Sequence, residues 1–253
     1  MSLRPNALTV SLLVLLLATC VTAQTPDPSG SSNYGIAAFP NIMVPMRDGV
    51  HLATNVYRPA ENGKVVEGRF PVILERTPYG KDDDVYYANH WVKQGYIVIL
   101  QDVRCRFNSE GVWRFFRDDI HDGYDTAQWI GSQPWSNCAI GTVGASYPGG
   151  TQHALALSNP PCLKAIIPAY ATSDTGRVGL RNGGAFELRW MNWIFNLFEP
   201  EGDRDGAKNK QEMAKLGEQV REYVKGLPLR PGTTPLRLVP SYEHLAHRGH
   251  VAR

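Results

Sequence analysis

The chain has 253 residues, 20% of them charged and 43% apolar, with a formal net charge of +2. That composition excludes an intrinsically disordered chain, and the scattered, sign-mixed Lys and Arg exclude a basic nucleic-acid stripe. The length suits one large domain or two small ones.

The N-terminus reads as a signal peptide over residues 1–23. Arg4 gives a short positive region, residues 7–18 (ALTVSLLVLLLA) an apolar core too short to span a bilayer, and Val21-Thr22-Ala23 a small-residue cleavage site before Gln24. The alternatives are an uncleaved anchor, a buried helix, or lipidation at Cys20, where Thr19 is an unusual preceding residue. Export makes the expected location secreted or periplasmic, with membrane contact only through the signal peptide. Residues 24–40 read as a flexible leader, since QTPDPSGSS is Pro-, Gly- and Ser-rich. Beyond the leader stand Cys105, Cys138 and Cys162, without the Cys-x-x-Cys spacing of a zinc site. An oxidising compartment permits a disulfide.

Residues 41–170 carry an alternation of strands and helices. A β-hairpin is predicted over 41–59, turning at Arg47-Asp48-Gly49. Continuous apolar runs at 70–75, 96–100, 139–143 and 163–167 suit buried parallel strands. Helices are predicted over 84–94, closed by Gly95, and where Ile120, Tyr124, Ala127 and Ile130 share a face. Asp122 and Asp125 fall near the start of that second helix, where a solvated, dipole-favoured face is the default. The pattern gives an α/β fold with a mostly parallel sheet, flanking helices and right-handed crossovers.

After Tyr170 the character changes. Residues 185–198 are apolar nearly all round, a predicted helix; a second is predicted over 208–225, followed by a Pro-punctuated loop over 227–240. Residues 171–253 are read as an incomplete helical cap, with the sheet stopping at the strand 163–167. Phe186, Trp190, Trp193 and Leu197 either line an acyl pocket or pack the cap on the body.

Residues 139–157 (AIGTVGASYPGGTQHALAL) run a short apolar strand through Gly144-Ala145-Ser146-Tyr147-Pro148-Gly149 into a helix-like segment. A nucleophile elbow needs this order: a serine on a strained strand-to-helix turn, with small neighbours and a helix N-terminus facing the developing charge. The glycine comes one place later than in G-x-S-x-G, so a Gly/Ser-rich turn without chemistry stays open. A phosphate loop is disfavoured, because neither nucleotide-binding glycine motif is present.

The form G-x-S-Y-x-G resembles that of the cocaine esterase and X-Pro dipeptidyl-peptidase (CocE/NonD) group of serine hydrolases. So do residues 43–59 (MVPMRDGVHLATNVYRP), Arg76-Thr77-Pro78-Tyr79-Gly80-Lys81, Gln101-Asp102-Val103-Arg104, Ser109-Glu110-Gly111, Asp122-Gly123-Tyr124-Asp125-Thr126 and Gln133-Pro134-Trp135. The resemblance covers most of residues 41–170. It implies an α/β-hydrolase fold, Ser146 as nucleophile, and two oxyanion-hole donors: the Tyr147 backbone N–H and the Tyr79 phenol. It implies a small-molecule ester or amide substrate and no cofactor, metal or nucleic-acid partner; the oligomeric state is open. Asp102 and Arg104 are read as an ion pair or loop anchor.

The chain departs from the group where Cys105 and Cys138 replace glycines. The paired departures suggest a Cys105–Cys138 disulfide with Cys162 free, or else two unrelated small substitutions. Members of the group are also longer, so the chain is read as C-terminally truncated. His153, His244, His247, His250, Asp174, Asp203 and Asp205 do not fit the triad positions, and neither the triad acid nor the histidine is assigned. The competing readings are a catalytically inactive fragment or pseudoenzyme, separable by fluorophosphonate labelling, and a nucleotide-binding doubly wound domain, which lacks a phosphate loop.

Overall fold

The computed structural model describes residues 33–114, 116–174, 181–182, 185–187, 190, 193, 218–219, 222 and 225. Two long antiparallel strands come first among the described residues, β1 (Gly35–Pro45) and β2 (His51–Glu61). Their turn closes where Met46 N–H donates to Val50 O at 2.7 Å, and Gly49 supplies the positive φ of 84°. The strand pair begins at Gly35, so the last six residues of the segment expected to be a leader belong to the sheet. A two-residue strand β3 (Lys64–Val65) pairs with β2, and β4 (Phe70–Thr77) follows.

Helix α1 (Val85–Trp91) continues as a 3₁₀ turn, Val92–Gln94, and stops at Gly95. Gly95 sits at φ 85°, with Gly95 N–H on Val92 O and Tyr96 N–H on Trp91 O, a left-handed glycine cap. Then come β5 (Ile97–Asp102), α2 (Asp119–Ser132), β6 (Ser136–Ala145), α3 (Tyr147–Leu157) and β7 (Leu163–Ala169). Among the described residues the sheet has seven strands. Its main path runs β1-β2-β5-β4-β6-β7, with β3 on β2; β5, β4, β6 and β7 are parallel neighbours. This is the α/β architecture that the sequence implies.

The core follows from the two-residue period of a strand covered on both faces. In β4 and β5, Val72, Leu74, Ile97 and Ile99 join Ala127, Ile130 and Leu155 in one buried cluster. The intervening Ile73, Val98 and Leu100 join Ala88 and Val92 in the other. One layer thus packs α2 and α3 on the sheet, and the opposite layer packs α1.

Four expectations are corrected. Ala185–Phe186, placed in a long helix, form a strand β9 against β8 (Arg181–Asn182); Trp190 and Trp193 are helical, and the rest of 188–198 lies outside the described residues. Asp122 does not lie on a solvated face but is buried at 2% exposure and bonded to Arg104 at 2.6 and 3.0 Å. Asp125, in place of free solvation, accepts from Arg47 at 2.7 Å. The disulfide joins Cys138 to Cys162, and among the described residues Cys105 is a free thiol. Parallel strands explain the last point. Cys105 follows the C-terminal end of β5, whereas Cys138 lies near the N-terminal end of β6, about 20 Å away along the strand direction at ~3.3 Å per residue. Cys162 precedes the adjacent β7, and Ile140 N–H bonds its carbonyl at 2.8 Å.

Of the helix expected over 208–225, Glu218, Gln219, Glu222 and Lys225 are helical; its other residues lie outside the described set, as do the signal segment 1–23, the loop 227–240 and the C-terminal tail.

Candidate active site

Ser146 stands between β6 and α3 at φ 64° and ψ −121°, a strained conformation for a residue with a side chain. The strain persists because the surroundings leave one path. A Cβ on Gly144, at φ 135°, would lie 2.5 Å from Pro148 Cβ and 3.0 Å from Glu75 Oε1. One on Gly149 would lie 2.7 Å from Ala169 O, so this glycine lets α3 close on β7. Gly150 serves another neighbour: its added Cβ would strike the Phe116 ring at 2.3 Å. Ser146 N–H bonds Ala169 O at 2.9 Å, while Gly149 and Gly150 N–H bond Ser146 O. The turn leaves the serine side chain exposed at the C-terminal edge of the sheet and at the positive end of α3.

Tyr79 comes to the same point from the end of β4. Its phenol lies 3.4 Å from Ser146 Oγ. It also has a hydrogen bond from the Tyr147 backbone N–H, so both expected donors and the serine converge. Burial pushes the phenol above its ordinary value, against those hydrogen bonds, and keeps it a neutral donor. Trp193 meets the Tyr79 ring edge-on at 6.5 Å and donates its indole N–H to the phenol oxygen, and Trp190 packs edge-on against Trp193 at 5.4 Å.

The loop carrying Tyr79 is held by charge that the sequence reading placed only in outline. Lys81, fully buried, approaches Asp102 Oδ2 at 3.4 Å, and its backbone N–H donates to Asp102 Oδ1 at 2.7 Å. Burial raises the Asp102 carboxyl to about 6, with Lys81 opposing the rise. Arg106 Nε donates to Pro78 O at 2.8 Å, and Tyr79 N–H to Thr77 Oγ1 at 3.1 Å. Arg104 bridges Asp48 and Asp122, the anchor role expected of it.

Tyr147 has a second function that its motif position did not reveal. Its ring is buried, stacks on Phe116 at 4.2 Å, and donates its hydroxyl to Asp119 Oδ2 at 2.9 Å. Asp119 in turn faces Arg76 at 3.3 Å. The side chain therefore fixes the residue whose backbone N–H meets the Tyr79 phenol. No local signal marks Asp119 as its partner, because 28 residues separate the two.

Among the described residues no histidine hydrogen-bonds Ser146. His51 faces Glu110, His90 faces Gln94, and His121 faces Arg47. His153 lies along α3, beyond the turn. Among the same residues no cluster of three or more His, Cys, Asp or Glu side chains is arranged to hold a metal ion. An exposed serine on a strained turn, with a phenol 3.4 Å from its oxygen and a backbone N–H beside that phenol, is suited to attack on a carbonyl whose oxygen becomes negative.

Comparison with known proteins agrees with this geometry. The chain is 43% identical over 151 residues to the cocaine esterase of Rhodococcus sp. (strain MB1 Bresler), covering 57% of this chain and 25% of that protein. It superposes on a CocE/NonD family hydrolase from Staphylococcus aureus with a TM-score of 0.55 at 28% identity, covering 70% of this chain and 36% of the other. An alpha-amino acid ester hydrolase gives 0.51 at 28% identity, with 72% and 33% covered. The chain thus spans about a quarter to a third of the length of these relatives, and its fold is that of the α/β hydrolases. The model of the X-Pro dipeptidyl-peptidase (S15) family matches residues 48–234, most of the sequence, and the chain belongs to that family of hydrolases.

Proposed function

We propose that this chain supplies the nucleophile and oxyanion hole of a serine hydrolase acting on small ester or amide bonds. The observation that carries the reading is the convergence of the Tyr79 phenol and the Tyr147 N–H beside the strained, exposed Ser146. Ser146 Oγ attacks the carbonyl carbon and passes its proton to a base. The carbonyl oxygen becomes an oxyanion that receives both donors. Collapse expels the alcohol or amine and leaves an acyl group on Ser146, which water then releases. Trp190 and Trp193 form part of an apolar wall for the acyl group. The apolar segment 7–18 and the Cys138–Cys162 disulfide support export to an oxidising compartment.

A fluorophosphonate probe tests the activation of the serine. The expected result is covalent labelling of the wild type at Ser146 and none of Ser146→Ala. Equal labelling of both, or of neither, overturns the proposal. One observation favours a second reading, a silent chain that only binds acyl ligands: among the described residues no histidine reaches Ser146. Failure of labelling would favour it.

A further inference from the structure

A buried carboxyl group and a half-buried one face one another behind the elbow, and the serine-hydrolase reading assigns neither a task. Glu75, on β4, is 3% exposed, and its Oε2 receives no hydrogen bond. Its Oε1 lies where a side chain on Gly144, two residues before Ser146, would stand. Its carboxyl partner is Asp84, the residue that begins α1. Two ionised carboxylates in apolar surroundings repel and leave their oxygens unsatisfied, whereas a single proton between them turns the contact into a hydrogen bond. Asp84 also accepts from the Thr77 hydroxyl, and that hydroxyl oxygen receives the Tyr79 N–H at 3.1 Å. A continuous path therefore runs from the oxyanion loop at Tyr79 through Thr77, Asp84 and Glu75 to the glycine of the elbow.

We infer that Glu75 and Asp84 share one proton and act as a positioning pair that holds the Tyr79 loop against the Ser146 elbow. The proton resides on Glu75, which donates to the Asp84 carboxylate. The other groups facing Glu75 do not supply a counter-charge. Leu100 is its neighbour on β5 and Gly144 the residue beside it on β6. Tyr86 and Tyr87 face it from α1, and Asp83 adds a further negative charge beside Asp84. Burial first, and then Asp84, raise the Glu75 carboxyl to about 9. A carboxyl raised on folding contributes stability that is fully present below its unfolded value and is lost as pH rises through its folded value. The pair is therefore intact at neutral pH and breaks on the alkaline side.

The experiment uses the full 253-residue chain with ¹³C confined to Glu side-chain carboxyls and ¹⁵N in the backbone, titrated from pH 5 to 10. One Glu carboxyl is expected to stay protonated at pH 7 and titrate near 9, and the Tyr79 and Gly144 amides should shift with the same midpoint. In Glu75→Gln, whose amide still donates to Asp84, the anomalous carboxyl and the alkaline shifts should vanish. Ser146 phosphonylation rests on the proposed function. In the wild type it should slow roughly tenfold per pH unit above that midpoint, and in Glu75→Gln it should not. If every Glu carboxyl titrates in the ordinary range, or if the two amides ignore the titration, the inference is overturned. If Glu75→Gln does not fold, the wild-type titration decides alone. Absence of phosphonylation at every pH counts against the proposed function, while the carboxyl and amide titrations still judge the pair.

Discussion

Replacing Tyr79 by Phe removes one oxygen and leaves the ring. In the resting structure that oxygen is 3.4 Å from Ser146 Oγ, longer than the ~2.5–3.0 Å of a good O–H···O bond. The same oxygen also accepts the Tyr147 backbone N–H and the Trp193 indole N–H, so deleting it takes the acceptor from two donors and costs the ground state about 1–3 kcal/mol. A transition-state oxyanion draws more from the same donor. Removal of one oxyanion-hole donor ordinarily costs about 2.7–4 kcal/mol, a loss of roughly 10²–10³ in kcat. The Tyr147 N–H remains, so catalysis should persist at that lower rate. The edge contact of the ring with Trp193 is kept, but the lost hydrogen bonds should lower the melting temperature by roughly a few degrees. The assay is p-nitrophenyl butyrate hydrolysis by wild type and Tyr79→Phe, with kcat and KM resolved separately. A fall in kcat at nearly constant KM is expected. A change confined to KM would show that Tyr79 binds substrate without stabilising the oxyanion, and unchanged kinetics would refute the donor role altogether.

Two further outcomes follow from the geometry at the two ends of β6. Reduction of Cys138–Cys162, which closes a loop with a sequence separation of 24, should lower the unfolding free energy by about 3 kcal/mol, measured by urea denaturation with and without reductant; an unchanged midpoint, or free thiols at both positions in peptide maps, contradicts the pairing. Gly144→Ala should cost roughly 2–4 kcal/mol and suppress phosphonylation, because the new methyl meets Pro148 at 2.5 Å on a backbone at φ 135°; a stable variant that still labels would show that the elbow relaxes at no cost.

The chain's local patterns determined a large part of this protein. Continuous apolar runs at 70–75 and 96–100 announced two buried strands, because a strand covered on both faces needs apolar side chains on each. Gly95 announced the end of α1, since only a residue without Cβ adopts its φ freely. Gly144, Ser146 and Gly149 announced the elbow through the same steric logic within six positions. What the tertiary structure alone decided are the pairings between distant segments. The disulfide partner of Cys138 depends on which strand neighbours β6 and in which direction it runs. The burial of Asp122 depends on Arg104 arriving from the loop after β5. Tyr147 finds Asp119 through strand order and register, which no window of sequence contains, and Glu75 finds Asp84 through the path of the loop between β4 and α1. A carboxylate at the start of a helix carries the same local signal whether it meets water, an arginine or another carboxyl group. The difference lies in desolvation and Coulomb energy at a few ångströms, and those distances exist only once the chain has folded.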